Sequence, residues 1–209
     1  MNKEKIIKVL KEAFFSFAWI ALLVFVLDIT SKWIVQTHLG LYEEVVVIKD
    51  FFSITLSHNE GAAWSLGDGL RPLWIVVSVV LTGGLIFYFV KQYKKLSYLY
   101  RIAICLMIGG AFGNLIDRAF YWEKTVGFNG VIDWLSFRLF NSYDFPSFNI
   151  ADSALVIGVI LLLVTMVVEL ILDAIKKNKE GAYSLKPKDY EAKKEAEEAE
   201  NKEKEDAKN

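Results

Sequence analysis

The chain has 209 residues, of which 54% are hydrophobic and 23% are charged, and its formal net charge is −1. With Cys105 as its one cysteine, it can form neither an intrachain disulfide nor a thiolate zinc site. Outside residues 186–209, which are almost entirely Lys, Glu, Asp, Ala and Asn, the chain is far more apolar than a water-soluble domain, so a membrane protein is predicted.

Four stretches of the sequence are long enough to cross a bilayer, whose core of about 30 Å requires about 20 mostly apolar helical residues. They run from about Ala13 to Val35, Leu73 to Val90, Tyr98 to Ile116 and Ile150 to Leu172. The first follows several lysines, as a secretory signal does. It is too long for a signal, lacks a small-residue cleavage site and contains Asp28 and Lys32, so we interpret it as a retained span.

Basic residues are concentrated on one side of these spans. They precede the first span, flank the turn between the second and third, and follow the fourth: Lys3, Lys5, Lys8, Lys11, Lys91, Lys94, Lys95, Arg101, Lys176, Lys177 and Lys179. The long loops, about 36–72 and 117–149, contain few. The positive-inside rule therefore predicts that both termini are cytoplasmic and that the long loops are extracytoplasmic.

The two long loops and the tail differ in composition. In the first loop, residues 45–48 and 51–56 are rich in β-branched and aromatic side chains, which predicts a hairpin or small sheet on the membrane surface. The second loop is rich in aromatic residues, which are typical of a bilayer interface. We expect a membrane domain over residues 1–180 and a charged cytoplasmic tail over residues 181–209, loosely helical or disordered.

Ionisable residues collect at the outward ends of the spans, where they are costly unless they have a role. Asp28 and Lys32 are four residues apart and can pair on one helix face, either as an interfacial anchor or as part of a site. In the third span, helical spacing aligns Gly110 with Asn114 and Arg118, and it aligns Gly109 and Gly113 with Asp117; the glycines fit close helix packing, but the polar residues indicate function.

Two further acids lie beside the fourth span. Asn149 is a favourable N-cap and Asp152 lies near the positive end of the helix dipole, so capping alone accounts for both. Asp133 lies in the apolar and aromatic stretch 130–137, where a lone acid indicates a function. In the first loop, Asn59 and Gly61 begin a turn followed by small residues that can cover a site.

Five motifs together resemble the lipoprotein signal peptidase (signal peptidase II) family over most of residues 13–172. They are Asp28-x-x-Ser31-Lys32, Asn59-x-Gly61-Ala62-Ala63-Trp64-Ser65, Gly109-Gly110-Ala111-x-Gly113-Asn114-x-Ile116-Asp117-Arg118, Val131-x-Asp133-Trp134 and Phe148-Asn149-x-Ala151-Asp152. Each is weak alone, whereas five in order on a four-span frame are specific. Trp134 departs from the family, which often has Phe there, and the resemblance does not address the tail.

The resemblance implies an all-α membrane protein with four transmembrane helices, a small extracytoplasmic β-element and a surface helix or loop over the site. It implies an aspartic endopeptidase of the bacterial inner membrane that cuts prolipoproteins before a diacylglyceryl-modified cysteine, with its site at the extracytoplasmic face. Its partners would be these precursors and membrane lipid, without nucleic acid, metal or cofactor. The implied catalytic pair is Asp133 and Asp152. The implied supporting residues are Asp28, Lys32, Asn59, Gly61, Asn114, Asp117, Arg118 and Asn149.

Paired carboxylates fit amide hydrolysis, because two acids a few ångströms apart share one proton and titrate as a unit. The helix dipole favours Asp152 as the charged member, with Asp133 protonated at the start.

Other functions are less compatible with the sequence: a transporter would spread polar groups through the membrane, and neither a His-Glu-x-x-His zinc motif nor a Gly-x-Gly-Asp motif occurs. Serine catalysis by Ser31 and Lys32 is disfavoured because adjacent helical residues point about 100° apart. A non-catalytic membrane assembly factor remains open.

Overall fold

The computed structural model describes residues 3–59, 70–120, 130–140, 143–183, 191 and 194–198. Within these ranges the helices are α1 (Lys3–Ser16), α2 (Ala18–His38), α3 (Arg71–Gln92), α4 (Tyr98–Phe120) and α5 (Ile150–Tyr183). The strands are β1 (Glu44–Ile48), β2 (Phe52–Asn59), β3 (Val131–Leu139) and β4 (Tyr143–Phe148). Helices α2 to α5 are each long and apolar enough to cross a membrane, so the four predicted apolar stretches are confirmed as helices that are candidates for spans.

The first span begins at Ala18 rather than at about Ala13, because the helix is interrupted. Phe17 has φ 62° and ψ 9°, a left-handed conformation that is uncommon for a residue with a Cβ atom. This residue ends α1 and separates it from α2. The break is not evident from the sequence, since neither proline nor glycine lies near it.

Helix α4 packs closely against two other spans through its glycines. A Cβ atom on Gly109 would lie 2.7 Å from the carbonyl oxygen of Ala21 in α2, and one on Gly110 would overlap the carbonyl oxygen of Ala151 in α5. Helix α5 also approaches α4 closely through a glycine of its own, because a Cβ atom on Gly158 would lie 2.8 Å from the Ala103 carbonyl oxygen in α4. Small residues therefore hold α2 and α5 close to α4.

The four strands form one antiparallel sheet in the order β1-β2-β3-β4. Strands β1 and β2 confirm the predicted hairpin, whereas β3 and β4 come from the aromatic second loop, where no strands were predicted. Register places Ser57 opposite Asp133 and Leu135 opposite Phe148. A buried cluster of Val35, Leu56 and Ile132 joins the sheet to the C-terminal part of α2.

Residues 1–163 form one compact unit, which contains the sheet and all the candidate site residues that the structure describes. Residues 164–209 form a second unit, which contains the C-terminal part of α5. In this second unit residues 194–198 are helical, and Lys194 and Glu198 form an exposed ion pair of 3.9 Å.

Candidate active site

Asp133 lies in the middle of the sheet but is nearly inaccessible, with 3% of its surface exposed. Its Oδ1 accepts a hydrogen bond from Asn149 Nδ2 over 2.7 Å, and the Asn59 side chain is a second hydrogen-bond partner. Ser57 Oγ donates to the Asp133 carbonyl oxygen over 3.1 Å. Strand β2 thus fixes the backbone of this residue, and Asn59 and Asn149 fix its carboxyl group.

Asp152 lies in the first turn of α5, and Asn149 caps that helix as predicted. The backbone N–H of Asp152 donates to Asn149 Oδ1 over 2.8 Å, and the backbone N–H of Asn149 donates to Asp152 Oδ2 over 3.2 Å. This reciprocal pair has the geometry of a capping box. The other oxygen, Asp152 Oδ1, accepts a hydrogen bond from Asn114 Nδ2 over 2.7 Å.

The pairing of β4 with β3 brings the two acids together. Strand β4 ends at Phe148, opposite Leu135, and the chain enters α5 directly through Asn149. Asn149 is therefore bonded at once to Asp133 and to Asp152. Because Asn149 is fully buried, this link is shielded from solvent.

The charge state of Asp133 depends on burial and on its neighbour. Burial and, second, the negative charge of Asp152 raise the pKa of Asp133 from 3.8 to about 8. The Lys32 charge and the hydrogen bonds from Asn59 and Asn149 act in the opposite direction. Burial beside the charge of Asp152 thus favours the protonated form of Asp133.

Lys32 forms a buried ionic centre near the two acids. Its Nζ lies 2.6 Å from Asp28 Oδ2 and 2.7 Å from Asp117 Oδ2, and it donates to Asn114 Oδ1 over 3.0 Å. These partners match the three donors of an ammonium group. The side chains of Lys32 and both acids are at most 2% exposed, so the predicted pair of Asp28 and Lys32 forms inside the protein rather than at an interface.

The ionic centre also connects the helices to the sheet. Asp28 Oδ1 accepts from the backbone N–H of Ala151 over 2.9 Å, and Asp117 Oδ2 accepts from the backbone N–H of Ile132 over 3.3 Å. Gly113 provides the space for this arrangement, because its Cβ would lie 2.5 Å from Asp28 Oδ2. Helices α2, α4 and α5 and strand β3 are thereby joined around Lys32.

Most of the remaining predicted residues are also part of this assembly. Arg118, in the last turn of α4, interacts electrostatically with Asp152, Asp133 and Asp117. Gly61 lies outside the described residues. So do residues 62–65, which complete the loop that was predicted to cover the site. Ser57 was not predicted, because its contact arises from the pairing of β2 with β3, which no short motif encodes.

The chemistry of the described site is that of carboxylic acids. In the part of the chain that the structure describes, no group of three or more His, Cys, Asp or Glu residues could hold a metal ion. Burial lowers the pKa of His58, the histidine in β2, to about 4, so its imidazole is neutral at pH 7. Two buried carboxyl groups that bond to one asparagine can act as a proton donor and a proton acceptor, which are the two functions of general acid–base hydrolysis.

Comparison with known proteins assigns the chain to a family. A family model described as signal peptidase (SPase) II matches residues 20–168. The chain belongs to the signal peptidase II family. All ten candidate residues lie within the matched range, and α1 and the charged tail lie outside it.

Individual members of the signal peptidase II family are similar over most of their length. The chain is 40% identical over 150 residues to a lipoprotein signal peptidase of Bacillus pumilus, covering 72% of this chain and 91% of that protein. It is 40% identical over 152 residues to a lipoprotein signal peptidase of Pseudomonas aeruginosa, covering 71% and 85%.

A solved structure also resembles this signal peptidase II family member. A bacterial membrane enzyme, determined by the in meso method at 2.3 Å resolution, superposes with a TM-score of 0.64 at 33% identity and covers 73% of this chain and 87% of its own. A second structure of the same description, at 1.9 Å, gives a TM-score of 0.60 at 34% identity, with coverages of 71% and 90%. The combination of four spans and a small sheet is therefore shared with a solved membrane enzyme.

Proposed function

We propose that this protein is a membrane aspartic endopeptidase that removes signal peptides from diacylglyceryl-modified prolipoproteins by cutting before the lipidated cysteine. The observation that carries the proposal is the Asn149 bridge, which bonds to both Asp133 and Asp152 in a buried site. The names of the relatives, lipoprotein signal peptidases, support the substrate class.

In the proposed reaction, water is activated by one acid and the leaving amide is protonated by the other. Asp152 is the base: it accepts hydrogen bonds from Asn114 and Asn149 at the positive end of α5, which favour its carboxylate form. Asp133 is the acid, because its raised pKa keeps its proton near neutral pH. The attacking water gives its proton to Asp152 as its oxygen bonds to the scissile carbonyl carbon. Asp133 then protonates the amide nitrogen as the carbon–nitrogen bond breaks.

The proposed supporting residues have two different roles. Asn114 and Asn149 orient the acids directly, because each donates a hydrogen bond to one of them. Asp28, Lys32 and Asp117 act one step further away by holding Asn114 and the ends of the spans. Arg118 is assigned to the charge developing on the substrate carbonyl oxygen, since it is a cation beside both acids. Asn59 and Gly61 are assigned to the loop that borders the site.

We further propose a multi-pass protein of the bacterial inner membrane with both termini cytoplasmic and the site at the extracytoplasmic face. Lys91, Lys94 and Lys95 lie at the end of α3 and in the turn before α4, whereas the candidate acids lie at the far end of α4 and the start of α5. The positive-inside rule then assigns the acids to the outer surface, where the cleavage region of a signal peptide reaches water. Residues 1–180 would form the peptidase domain, and residues 181–209 a cytoplasmic appendage.

The proposal can be tested with purified protein and two forms of one precursor, with and without the diacylglyceryl group. We expect cleavage of the lipidated form only, and the same rate with a metal chelator. Asp133→Asn and Asp152→Asn should fold and insert but lose cleavage. Asp144→Asn is a matched control, because Asp144 is 71% exposed in β4 and pairs with Arg138 at the surface.

Three results would contradict the proposal. Cleavage of both precursor forms would show that the enzyme does not recognise the diacylglyceryl group. Full activity of either Asp→Asn variant would show that Asp133 and Asp152 do not act as a catalytic pair. Absence of cleavage in a correctly folded wild-type protein would favour the non-catalytic assembly factor.

A further inference from the structure

Helix α1 is amphipathic and precedes the region that matches the family. Residues seven apart lie on the same face of a helix, so Ile7 and Phe14 share one face and Lys5 and Glu12 share the opposite one. Ile7 is 43% exposed and Phe14 is 59% exposed. Two large apolar side chains on one face are thus uncovered by the described protein, Lys3 and Lys11 flank that face, and Lys5 and Glu12 lie opposite it.

The corner between α1 and α2 is fixed rather than free. The left-handed backbone of Phe17 ends one helix axis and allows α1 to leave the direction of the span. Arg101 of α4 donates to the carbonyl oxygens of Phe15 over 2.8 Å and of Leu96 over 3.0 Å. These bonds join the end of α1 to the turn between α3 and α4.

Aromatic side chains surround this corner. Phe14 stacks on Trp19 with ring centroids 6.2 Å apart, and Trp19 Nε1 donates to the Phe14 carbonyl oxygen over 3.3 Å. Phe17 contacts the ring of Tyr98 edge-on at 5.7 Å. Trp and Tyr are enriched at the level of the lipid headgroups, so the corner has the composition of a membrane–water boundary.

The charge at this end of the protein is positive. Helix α1 carries four lysines against two glutamates, and the turn next to it carries further basic residues: Lys91, Lys94, Lys95 and Arg101. Clusters of Lys and Arg beside a membrane span attract anionic phospholipids. The charge therefore complements an anionic lipid surface.

We propose that α1 lies on the bilayer surface, with the face of Ile7 and Phe14 at the boundary of the acyl chains and with its lysines on anionic phospholipid headgroups. An amphipathic helix with lysines on its polar face binds membranes in this way. The bilayer is the favoured occupant over a second copy of the chain, because α1 is joined directly to a span and like charges on two copies would repel. This inference does not depend on the peptidase activity.

The test uses spin labels on the full-length chain in vesicles of phosphatidylcholine with or without phosphatidylglycerol. Ile7→Cys and Lys5→Cys place a label on each face, and the buried Cys105 is replaced by Ala. With phosphatidylglycerol, we expect the label at residue 7 to collide with oxygen and the label at residue 5 to collide with a water-soluble nickel complex. Without it, nickel accessibility at residue 7 should rise severalfold, since each lysine near an anionic surface strengthens binding by about fivefold.

A charge variant separates α1 from the rest of the chain. Replacing Lys3, Lys5, Lys8 and Lys11 by Gln should raise nickel accessibility at residue 7 even with phosphatidylglycerol present. The matched control replaces Lys193, Lys194, Lys202 and Lys204 by Gln, which changes the net charge equally and should leave the label at residue 7 in lipid.

Three outcomes would overturn the proposal. The first is a label at residue 7 that is water-accessible in both vesicle types. The second is a label that becomes accessible only when the protein is diluted in lipid, which would assign the apolar face to a second copy. The third is a tail variant that raises nickel accessibility at residue 7 as much as the α1 variant does, which would show that net charge alone controls the position of the label.

Discussion

Asn149 and Asp152 bond each other in both directions across the first turn of α5, backbone N–H to side-chain oxygen in each case. This reciprocal cap orients the Asn149 side chain and leaves its Nδ2 to donate to Asp133 over 2.7 Å. The same residue thus begins the helix and orients the proposed acid. The cap should be separable from the rest of this position, because the cap uses Oδ1, whereas Nδ2 donates to Asp133, to Asn114 Oδ1 and to the Ile132 carbonyl oxygen.

We expect Asn149→Ala to lower kcat by about 100-fold, since Asp133 loses an orienting donor. The loss of the cap should also lower the free energy of unfolding by about 1 kcal/mol. Asn149→Ser is the matched variant, because serine is an equally good N-cap but its short hydroxyl does not replace the amide donor. Thermal melts and kcat are measured for both.

The expected separation is a stable but slow Asn149→Ser protein. If the serine variant recovered wild-type kcat along with its melting temperature, the amide of Asn149 would have only a structural role. Its assignment as a positioning residue would then be wrong.

Peptidase activity should fall as the pH rises through about 8, because Asp133 then loses the proton that the leaving group needs. Since the hydrogen bond from Asn149 lowers the pKa of Asp133, Asn149→Ser should move this alkaline limb to higher pH. The measurement is kcat against pH, with circular dichroism at each pH as a control for unfolding. An alkaline limb unchanged in position in Asn149→Ser would contradict the assignment of Asp133 as the acid.

The spans were predictable because each is specified by a local property, its apolar length. The pair of Asp28 and Lys32 and the cap formed by Asn149 were predictable for the same reason, since i,i+4 spacing and N-capping are also local. The helix break at Phe17 was not predictable, because its left-handed backbone conformation occurs without a glycine or proline to signal it.

The contact of Asp133 with Asn149 could not be derived from local pattern, and the family resemblance implied only that Asp133 pairs with Asp152. Their contact depends on the register of β4 on β3, where Leu135 faces Phe148 and shifts occur in the pairing. The aromatic composition of β3 and β4 was interpreted as typical of a bilayer interface, so the two strands were not predicted. The same non-local origin explains why Ser57 was missed.

Lys32→Met should destabilise the protein by about 3–5 kcal/mol, because it leaves Asp28 and Asp117 as buried charges without their cation. Adding Asp28→Asn and Asp117→Asn should recover much of the stability, since the uncompensated charges are then removed. Lys194→Met is the control, as the exposed pair with Glu198 contributes little. Melting temperatures in detergent are compared. A triple variant no more stable than Lys32→Met would show that charge burial is not the cause.

Gly113→Ala should displace α4 from Asp28 and lower both stability, by about 1–3 kcal/mol, and activity. The added methyl would lie 2.5 Å from Asp28 Oδ2 and 3.3 Å from the Ala151 Cβ, and neither residue can retreat without breaking the bond between them. Gly84→Ala in α3 is the matched control, because a Cβ there meets nothing within 4 Å, so the protein should keep its melting temperature and kcat. The two variants make the same chemical change in a membrane span, so any difference between them measures the close approach at the ionic centre. Equal tolerance of both would mean that α4 has room to shift and that Gly113 does not determine the position of Asp28.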